Sequence, residues 1–373
     1  MPTTTTKDHP NLKHHTITMG CDPEFFFSQK GKIIGSEKVI PKDGLAVLDQ
    51  YGNPLNSKII IDGVQAELNP KEQTCRVFLS NNISRCFKQI LETMKTKENP
   101  DLSIDFTQTI KVTKEELASL EPENQILGCS PSKNAYNKRN FISVKNGAKY
   151  YYRSAGGHIH IGNYAANNDI QRALDNPNTL IPLLDIILGN TCVLLDKDPG
   201  NIQRRKVYGR AGEYRTPPHG IEYRTLSNFW LKNYKLASFV FGLTRETVNI
   251  LANSTKEHNY AKEIIKAVKR TDIKKAINKN DFDLALSNFK KIEPIIDKLT
   301  KTGEDYYLPL NSKNLIDFNF FITKDLNHWF KEDPLKHWTT PNPTAAGGWE
   351  DFLLRTVRSE RLKEEATLTP TTI

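Results

Sequence analysis

The sequence predicts an α+β protein, and three observations carry that prediction. Strand-like segments repeatedly place polar residues two apart, Gly- and Pro-based turns separate them, and beyond residue 257 the pattern is almost wholly helical. On a strand, residues two apart share a face. His158 and His160 stand in that relation, as do Glu213 with Arg215 and Glu222 with Arg224. A sheet face so polar is poorly suited to packing and reads as the floor of a site.

Residues 1–15, MPTTTTKDHPNLKHH, form a polar, flexible lead without an apolar signal core. ITMGCDPEFFF follows as a strand, and Gly31 turns the chain into a second, KIIGS, making a hairpin. Strand segments over 47–51 and 58–68 bracket the turn LDQYGNPLN, and IIIDGVQAELNP reads as one strand with Gln65, Glu67 and Asn69 on one face. Val77, Ile83, Phe87, Ile90, Leu91 and Met94 recur at helical spacing and predict a helix over 72–97. A strand over 104–112 leads into TKEELASL, whose Thr113 and Glu116 form a capping box. The polar connection 129–149 is a candidate substrate loop. After the GGHIHIG strand, an apolar helix spans 178–196, and another spans 233–256. The domain organisation expected is a catalytic domain over 16–256, a helical region over 257–340 packed on it, and a linker, short helix and tail over 341–373.

The chain has 373 residues, of which 38% are hydrophobic, enough for a folded core. No run approaches the roughly 20 apolar residues of a membrane span. Five cysteines without paired spacing fit reduced thiols and a cytoplasmic setting. The net charge of +9 favours phosphate-bearing ligands in general. The lysines are spread along the chain without a basic tract, which points away from nucleic acid.

Four motifs carry chemistry: Asp22-Pro-Glu24, Gln65-Ala-Glu67-Leu-Asn69, His158-Ile-His160, and the Arg-rich stretch holding Arg204, Arg205, Arg210, Arg215 and Arg224 with Glu213 and Glu222. Taken singly, each has an ordinary explanation, such as an exposed acidic pair, an edge strand or a salt-bridge ladder. Together they suit phosphate handling. Guanidinium groups hold phosphoryl oxygens bidentately, and carboxylates hold Mg²⁺, which prefers hard oxygen ligands. A zinc hydrolase would more often show a third His or a Cys. The sequence contains no GxxxxGK[ST] and no protein-kinase motif series.

GCDPEFF, DGVQAELNP, GGHIHIG and RRKVYGRAGEYRTPPHGIEYRTLSNFWL, in that order over residues 17–255, resemble the phage phiEco32-like COOH–NH2 ligases of type 2. These amidoligases belong with the glutamine synthetase and glutamate–cysteine ligase superfamily. The resemblance implies a curved, mainly antiparallel sheet of glutamine synthetase-like type, flanked by helices, with metals on its concave face. It implies an ATP-dependent ligase that forms an amide or isopeptide bond through an acyl phosphate, with Mg²⁺ or Mn²⁺. Carried over by motif, Asp22, Glu24, Glu67, Glu222 and His158 are the metal ligands, His158 alternatively a phosphate contact. The family commonly has Glu where Asp22 stands. Arg215 and Arg224 hold the transferring phosphoryl group and, with Glu67 and Glu222, make up the catalytic set. Arg205, Arg210, His160 and Lys138 complete the nucleotide contacts. Lys138, with Lys133 and Arg139, comes from the 129–149 loop, a candidate lid. Glu213 is expected to be structural. The implied partners are a carboxylate-bearing and an amine-bearing substrate, in the host cytoplasm if phage-encoded, with the oligomeric state open. A metal-dependent hydrolase or phosphoesterase using the same His and Glu residues, and a non-catalytic virion-associated protein of the same fold, are the alternatives.

Overall fold

The fold divides at Asp22-Pro23. In the computed structural model, which describes residues 16–49, 51–97, 101–125, 131–137, 151–164, 166–196, 198–301 and 333–339, the segment read as one strand is two. They are β1 (Ile17–Cys21) and β2 (Glu24–Gln29). Proline has no amide hydrogen to give a ladder, and at Pro23 the chain leaves one sheet for another. The remaining strands of the first half are β3 (Lys32–Ile34), β4 (Leu45–Leu48), β5 (Pro54–Asp62), β6 (Gln65–Asn69), β7 (Leu102–Asp105) and β8 (Thr109–Lys111). Those of the second are β9 (Lys133–Asn134), β10 (Tyr152–Ser154), β11 (Ile159–Asn163), β12 (Glu213–Arg215) and β13 (Gly220–Tyr223).

One sheet has the order β1-β11-β13-β12-β9 and the other β3-β2-β6-β5-β4, with β7 also pairing β2. β8 and β10 form a separate pair. The named pairings are antiparallel. Two expected strands are corrected here. IIIDGVQAELNP is the β5–β6 hairpin, turned at Gly63 with φ of 62°. The stretch 104–112 supplies β7 and β8 to different sheets.

Alternation along the strands separates two faces. Ile17, Met19, Ile159, Ile161, Ile221 and Tyr223 of the first sheet, and Phe25, Phe27, Ile59, Ala66 and Leu68 of the second, are buried in one hydrophobic cluster. Each fully buried large apolar side chain contributes about 1.5–3 kcal/mol. The opposite faces carry the polar residues. Leu68 N–H donates to the Pro23 carbonyl at 3.0 Å, tying the sheets at their junction, and together they curl around one polar hollow.

The described helices are α1 (Arg76–Thr96), α2 (Lys114–Ala118), α3 (Asn168–Leu174), α4 (Pro177–Leu184), α5 (Asn190–Leu195), α6 (Gly200–Val207), α7 (Tyr234–Ala252), α8 (Tyr260–Ala267), α9 (Arg270–Lys279), α10 (Phe282–Lys301) and α11 (Pro334–Thr339), of which α1, α3 and α7 lie against the sheets' strands. The Thr113–Glu116 capping box forms as expected. α4 and α5 join through a π-helical turn, Asp185–Gly189. By length and composition the stretch Pro177–Leu195 could cross a membrane, but most of it is buried inside the protein. α6 lies in the Arg-rich stretch, for which the sequence predicts no helix. Its buried face is built from Asn201, Arg204 and Arg205 rather than aliphatic residues, so no apolar period announces it. Ile264, Ile273, Ile277, Phe289 and Ile292 of α8–α10 join the same core as the sheets.

Trp338 anchors α11. It is fully buried, packs 5.9 Å from the Phe87 ring and donates its indole N–H to the Leu231 carbonyl at 2.6 Å. Trp338→Ala is expected to lower unfolding stability by about 3–5 kcal/mol, read as a shifted urea midpoint. An unchanged midpoint would mean that α11 lies outside the cooperative unit.

Candidate functional site

Glu24 of β2 stands directly opposite Glu67 of β6 in the antiparallel register. Asp62, opposite Gln65 at the end of the β5–β6 hairpin, shares their face. One carboxylate oxygen from each of Glu24, Asp62 and Glu67 lies within 4.8 Å of the others. Like charges directly opposite one another destabilise a sheet. The Gly156 N–H donates to Glu24 Oε2 at 2.8 Å, and the Asn69 amide to Glu67 Oε1 at 2.9 Å. These donors do not suffice to neutralise the group. Burial, and next Asp62, push Glu24 up to about 8. Burial, then Asp22, Asp62 and Glu24, push Glu67 up to about 10. Asp62 is raised by burial and by Asp22. Three carboxylates that hold protons so tightly form a set that a divalent cation would discharge.

A second group lies across the hollow on one rung of the other sheet, where Gly20, His160, Glu222 and Arg215 stand side by side. Asp22, at the junction, reaches this rung. Its Oδ2 is 3.2 Å from His160 Nε2 and its Oδ1 is 3.2 Å from His158 Nδ1. Glu222 Oε1 is 3.6 Å from the same His158 nitrogen. Ligand atoms of Asp22, His160 and Glu222 lie within 4.8 Å of one another. Burial opposes ionisation of Asp22, but His158 and His160 outweigh it and hold this carboxyl well below the usual range. Burial, only partly offset by Asp22, lowers His158 toward the neutral, ligating form. For His160 burial is the largest influence and lowers its pKa, yet the bond to Asp22 wins and raises it.

His158 stands between the groups. Nδ1 faces Asp22 and Glu222, while Nε2 is buried and, among the described residues, has no hydrogen-bond partner. A Cβ on Gly156 would sit 2.7 Å from that Nε2 and 3.2 Å from Glu24 Oε1. Gly156 thus leaves open a space bordered by an imidazole nitrogen and a carboxylate. At Gly157 a Cβ would strike the Ser227 carbonyl at 2.3 Å. The first glycine keeps the space clear, and the second lets the chain pass close to Ser227. A buried orphan nitrogen, pooled carboxylates and an open cradle fit divalent cations with mixed oxygen and imidazole ligands.

The arginines divide. Arg224, 3% exposed, places Nε 3.3 Å from Glu222 Oε1, and half-buried Arg215 approaches the same oxygen at 3.5 Å. Arg204 donates to the carbonyls of Arg224, Thr225 and Leu226, and so fixes the backbone that carries Arg224. Arg205 and Arg210 are not brought to the acidic groups. Arg205 bonds to the Ile277 carbonyl and Asn280, and Arg210 to the carbonyls of Arg205 and Lys206. Their position in the sequence suggested the site, but the Arg205 guanidinium joins α6 to the end of α9, and the Arg210 guanidinium caps carbonyls of the last turn of α6. Glu213 is buried and accepts the Gly209 N–H at 2.7 Å. Lys133 is exposed and bonds to Thr216 at 3.0 Å. Lys138 and Arg139, with most of the expected lid, lie outside the described residues.

Asp62, Tyr208 and His219 did not emerge from the sequence. The Asp-Gly turn at 62–63 was a hairpin signal that would have placed Asp62 beside Glu67. Tyr208 donates to the Ser154 carbonyl at 2.6 Å and meets His158 edge-on, and it carried no signal. His219 bonds to His160 across 2.8 Å. Two cavities adjoin the hollow. One of about 750 Å³ is bordered by Glu37, Lys42, Asp62 and Glu121, and one of about 440 Å³ by Asn69, Lys71, Glu72, His160 and His219.

The model of a protein family described as "Phage phiEco32-like COOH.NH2 ligase-type 2" matches residues 126–305. This is the family that the sequence motifs resemble. The match takes in the His158/His160 strand and both Glu-Tyr-Arg strands, extends through α8–α10 beyond the motifs, and leaves the Asp22/Glu24 and Glu67 segments outside. No curated protein matches the chain. Similar solved structures include a bifunctional glutathione synthetase from Pasteurella multocida, with 11% identity, 93% of this chain and 50% of that one covered, and a TM-score of 0.48. Another is a novel glutamine synthase homolog, with 10% identity, 93% and 72% covered, and a TM-score of 0.36. The chain spans half the length of the first of these.

Glu24 and Glu67 keep their protons to higher pH in the folded protein than in the unfolded chain. The stability they contribute without cation is therefore full below about pH 4 and is lost as pH rises through about 8 and about 10. Thermal unfolding of the cation-free protein is expected to fall between about pH 5 and pH 9, to recover with Mg²⁺, and to fall less steeply in Glu67→Gln. A Glu67→Gln slope equal to wild type would contradict the repulsion.

Proposed function

From the family match over residues 126–305, we propose that this protein is an ATP-dependent ligase that joins a carboxylate to an amine. One observation carries the reading. Two clusters of groups that could hold a cation flank His158, and two guanidinium groups stand on the Glu222 edge of the same hollow. In the reaction proposed, a carboxylate oxygen of the first substrate attacks the γ-phosphorus of ATP and ADP leaves. The amine nitrogen then attacks the acyl carbon and loses a proton, and inorganic phosphate leaves with the bonding pair. The products are an amide, ADP and phosphate.

Glu24, Asp62 and Glu67 would hold one Mg²⁺, and Asp22, His160 and Glu222 another, with His158 between them. These ions would supply neutralisation of the phosphoryl charge. Arg224 offers a planar fork whose backbone Arg204 already fixes, so little entropy is lost on binding phosphoryl oxygens. Arg215 stands beside Glu222 on the same rung and would close on the phosphoryl group from the more open side. Glu222 holds both guanidinium groups in place before substrate arrives, a form of preorganisation. The larger cavity sets three carboxylates against one lysine, which would draw a protonated amine towards Asp62.

The reading predicts ADP and phosphate release in equal amounts from the purified protein with ATP, Mg²⁺ and a pooled set of amino acids and short peptides, and only when both a carboxylate and an amine are present. Substrate turnover without ATP would replace it with a hydrolase. Arg215→Ala is expected to lower kcat by roughly 10²–10³-fold, the range for loss of one charge-stabilising donor, with an unchanged unfolding midpoint. An undiminished kcat would remove Arg215 from the phosphoryl contact.

A further inference from the structure

His219 lies in the turn between β12 and β13. Its Nε2 is 2.8 Å from Nδ1 of His160, with ring centroids 5.0 Å apart. His160 presents its other nitrogen to the Asp22–Glu222 group. The turn is held close to β11 by glycine. A Cβ on Gly162 would come within 2.9 Å of the His219 carbonyl, and one on Gly220 within 2.2 Å of the Ile161 carbonyl. The imidazole of His219 therefore stands over His160 because the backbones beneath it touch.

Two imidazole nitrogens at hydrogen-bond distance need one donor and one acceptor. When Nε2 of His160 gives its lone pair to a cation, the ring proton must stand on Nδ1, the nitrogen that faces His219. We propose that His219 is a positioning residue for the cation at the Asp22–His160–Glu222 group: its Nε2 accepts the His160 Nδ1 proton, fixes that tautomer and keeps the ligating lone pair aimed into the hollow. The proposal rests on the cation-binding reading above. It requires His219 to carry its own proton on Nδ1. The partner of a ligating imidazole is more often a carboxylate or a carbonyl, and such outer contacts change metal affinity by about 10–100-fold. Here the acceptor is a neutral ring at the edge of the 440 Å³ cavity, beside Lys71 and Glu72. Truncating this exposed side chain leaves the core untouched and lets water take its place as a less rigid acceptor.

The test is Mn²⁺ binding to the full chain, followed by electron paramagnetic resonance, for wild type, His219→Ala and His219→Gln. The glutamine amide oxygen reaches the place of Nε2 and can accept the same proton. Wild type is expected to bind Mn²⁺, His219→Ala about 10–100-fold more weakly, and His219→Gln within about threefold of wild type. The three proteins should share one cation-free unfolding midpoint. Equal affinity in His219→Ala and wild type overturns the proposal, as does a glutamine variant as weak as alanine. A wild-type protein that binds no Mn²⁺ removes the cation site itself, and the proposal with it. Nitrogen-15 spectra of the Mg²⁺-loaded protein should show His219 as the Nδ1–H tautomer, and the Nε2–H tautomer would also overturn it.

Discussion

Two carboxylates placed directly opposite each other on neighbouring strands, Glu24 and Glu67, set the terms for the rest of the molecule. Asp62 adds a third charge to the same face. A sheet does not tolerate this without protons or a cation, and protons are lost as the pH rises. The surrounding groups keep the repulsion in place. The Gly156 amide pins Glu24, Asn69 pins Glu67, and the Gly63 turn brings Asp62 back across from Gln65. The second group is arranged otherwise. His158 and His160 compensate Asp22, so Asp22 stays ionised while Glu24 and Glu67 do not.

The fold supplies this by simple means. The Asp22-Pro23 break passes the chain from one sheet to the next and leaves Asp22 facing one polar rung and Glu24 the other. Strict alternation sends Ile159 and Ile161 into the core and His160 to the hollow. The Gly156-Gly157 pair keeps space beside His158 and lets β11 start against Ser227. α6 contributes Arg204, which spends its donors on three successive carbonyls at 224–226. The C-terminal helices support α6 in turn, through Ile277 and Asn280 to Arg205.

The period-two spacing of polar residues made most of the site legible in the sequence. His158 with His160, and Glu222 with Arg224, share a face because same-face placement follows from sequence alone, and the pairing of strands then brings Asp22, Glu24, Glu67 and Arg215 to the same hollow. Topology was not legible in the same way. One continuous strand across Asp22-Pro23-Glu24 was the natural reading, since a sheet change at a proline and a simple edge proline look alike in one dimension. For Arg205 and Arg210, arginine density in the sequence does not express which guanidinium groups cap backbone carbonyls. Asp62 was hidden by reading through the Asp-Gly turn. His219 depends on a backbone approach across Gly162 and Gly220 that local pattern does not express.

In the function proposed, the two ligand groups hold divalent cations beneath a phosphoryl group. Crystals grown with Mn²⁺ and a non-hydrolysable ATP analogue, with anomalous scattering recorded at the manganese edge, test it most directly. One peak is expected among Glu24, Asp62 and Glu67, a second among Asp22, His160 and Glu222, and the γ-phosphate of the analogue against Arg215 and Arg224. Well-ordered crystals with neither peak, or with nucleotide bound away from the hollow, would contradict it.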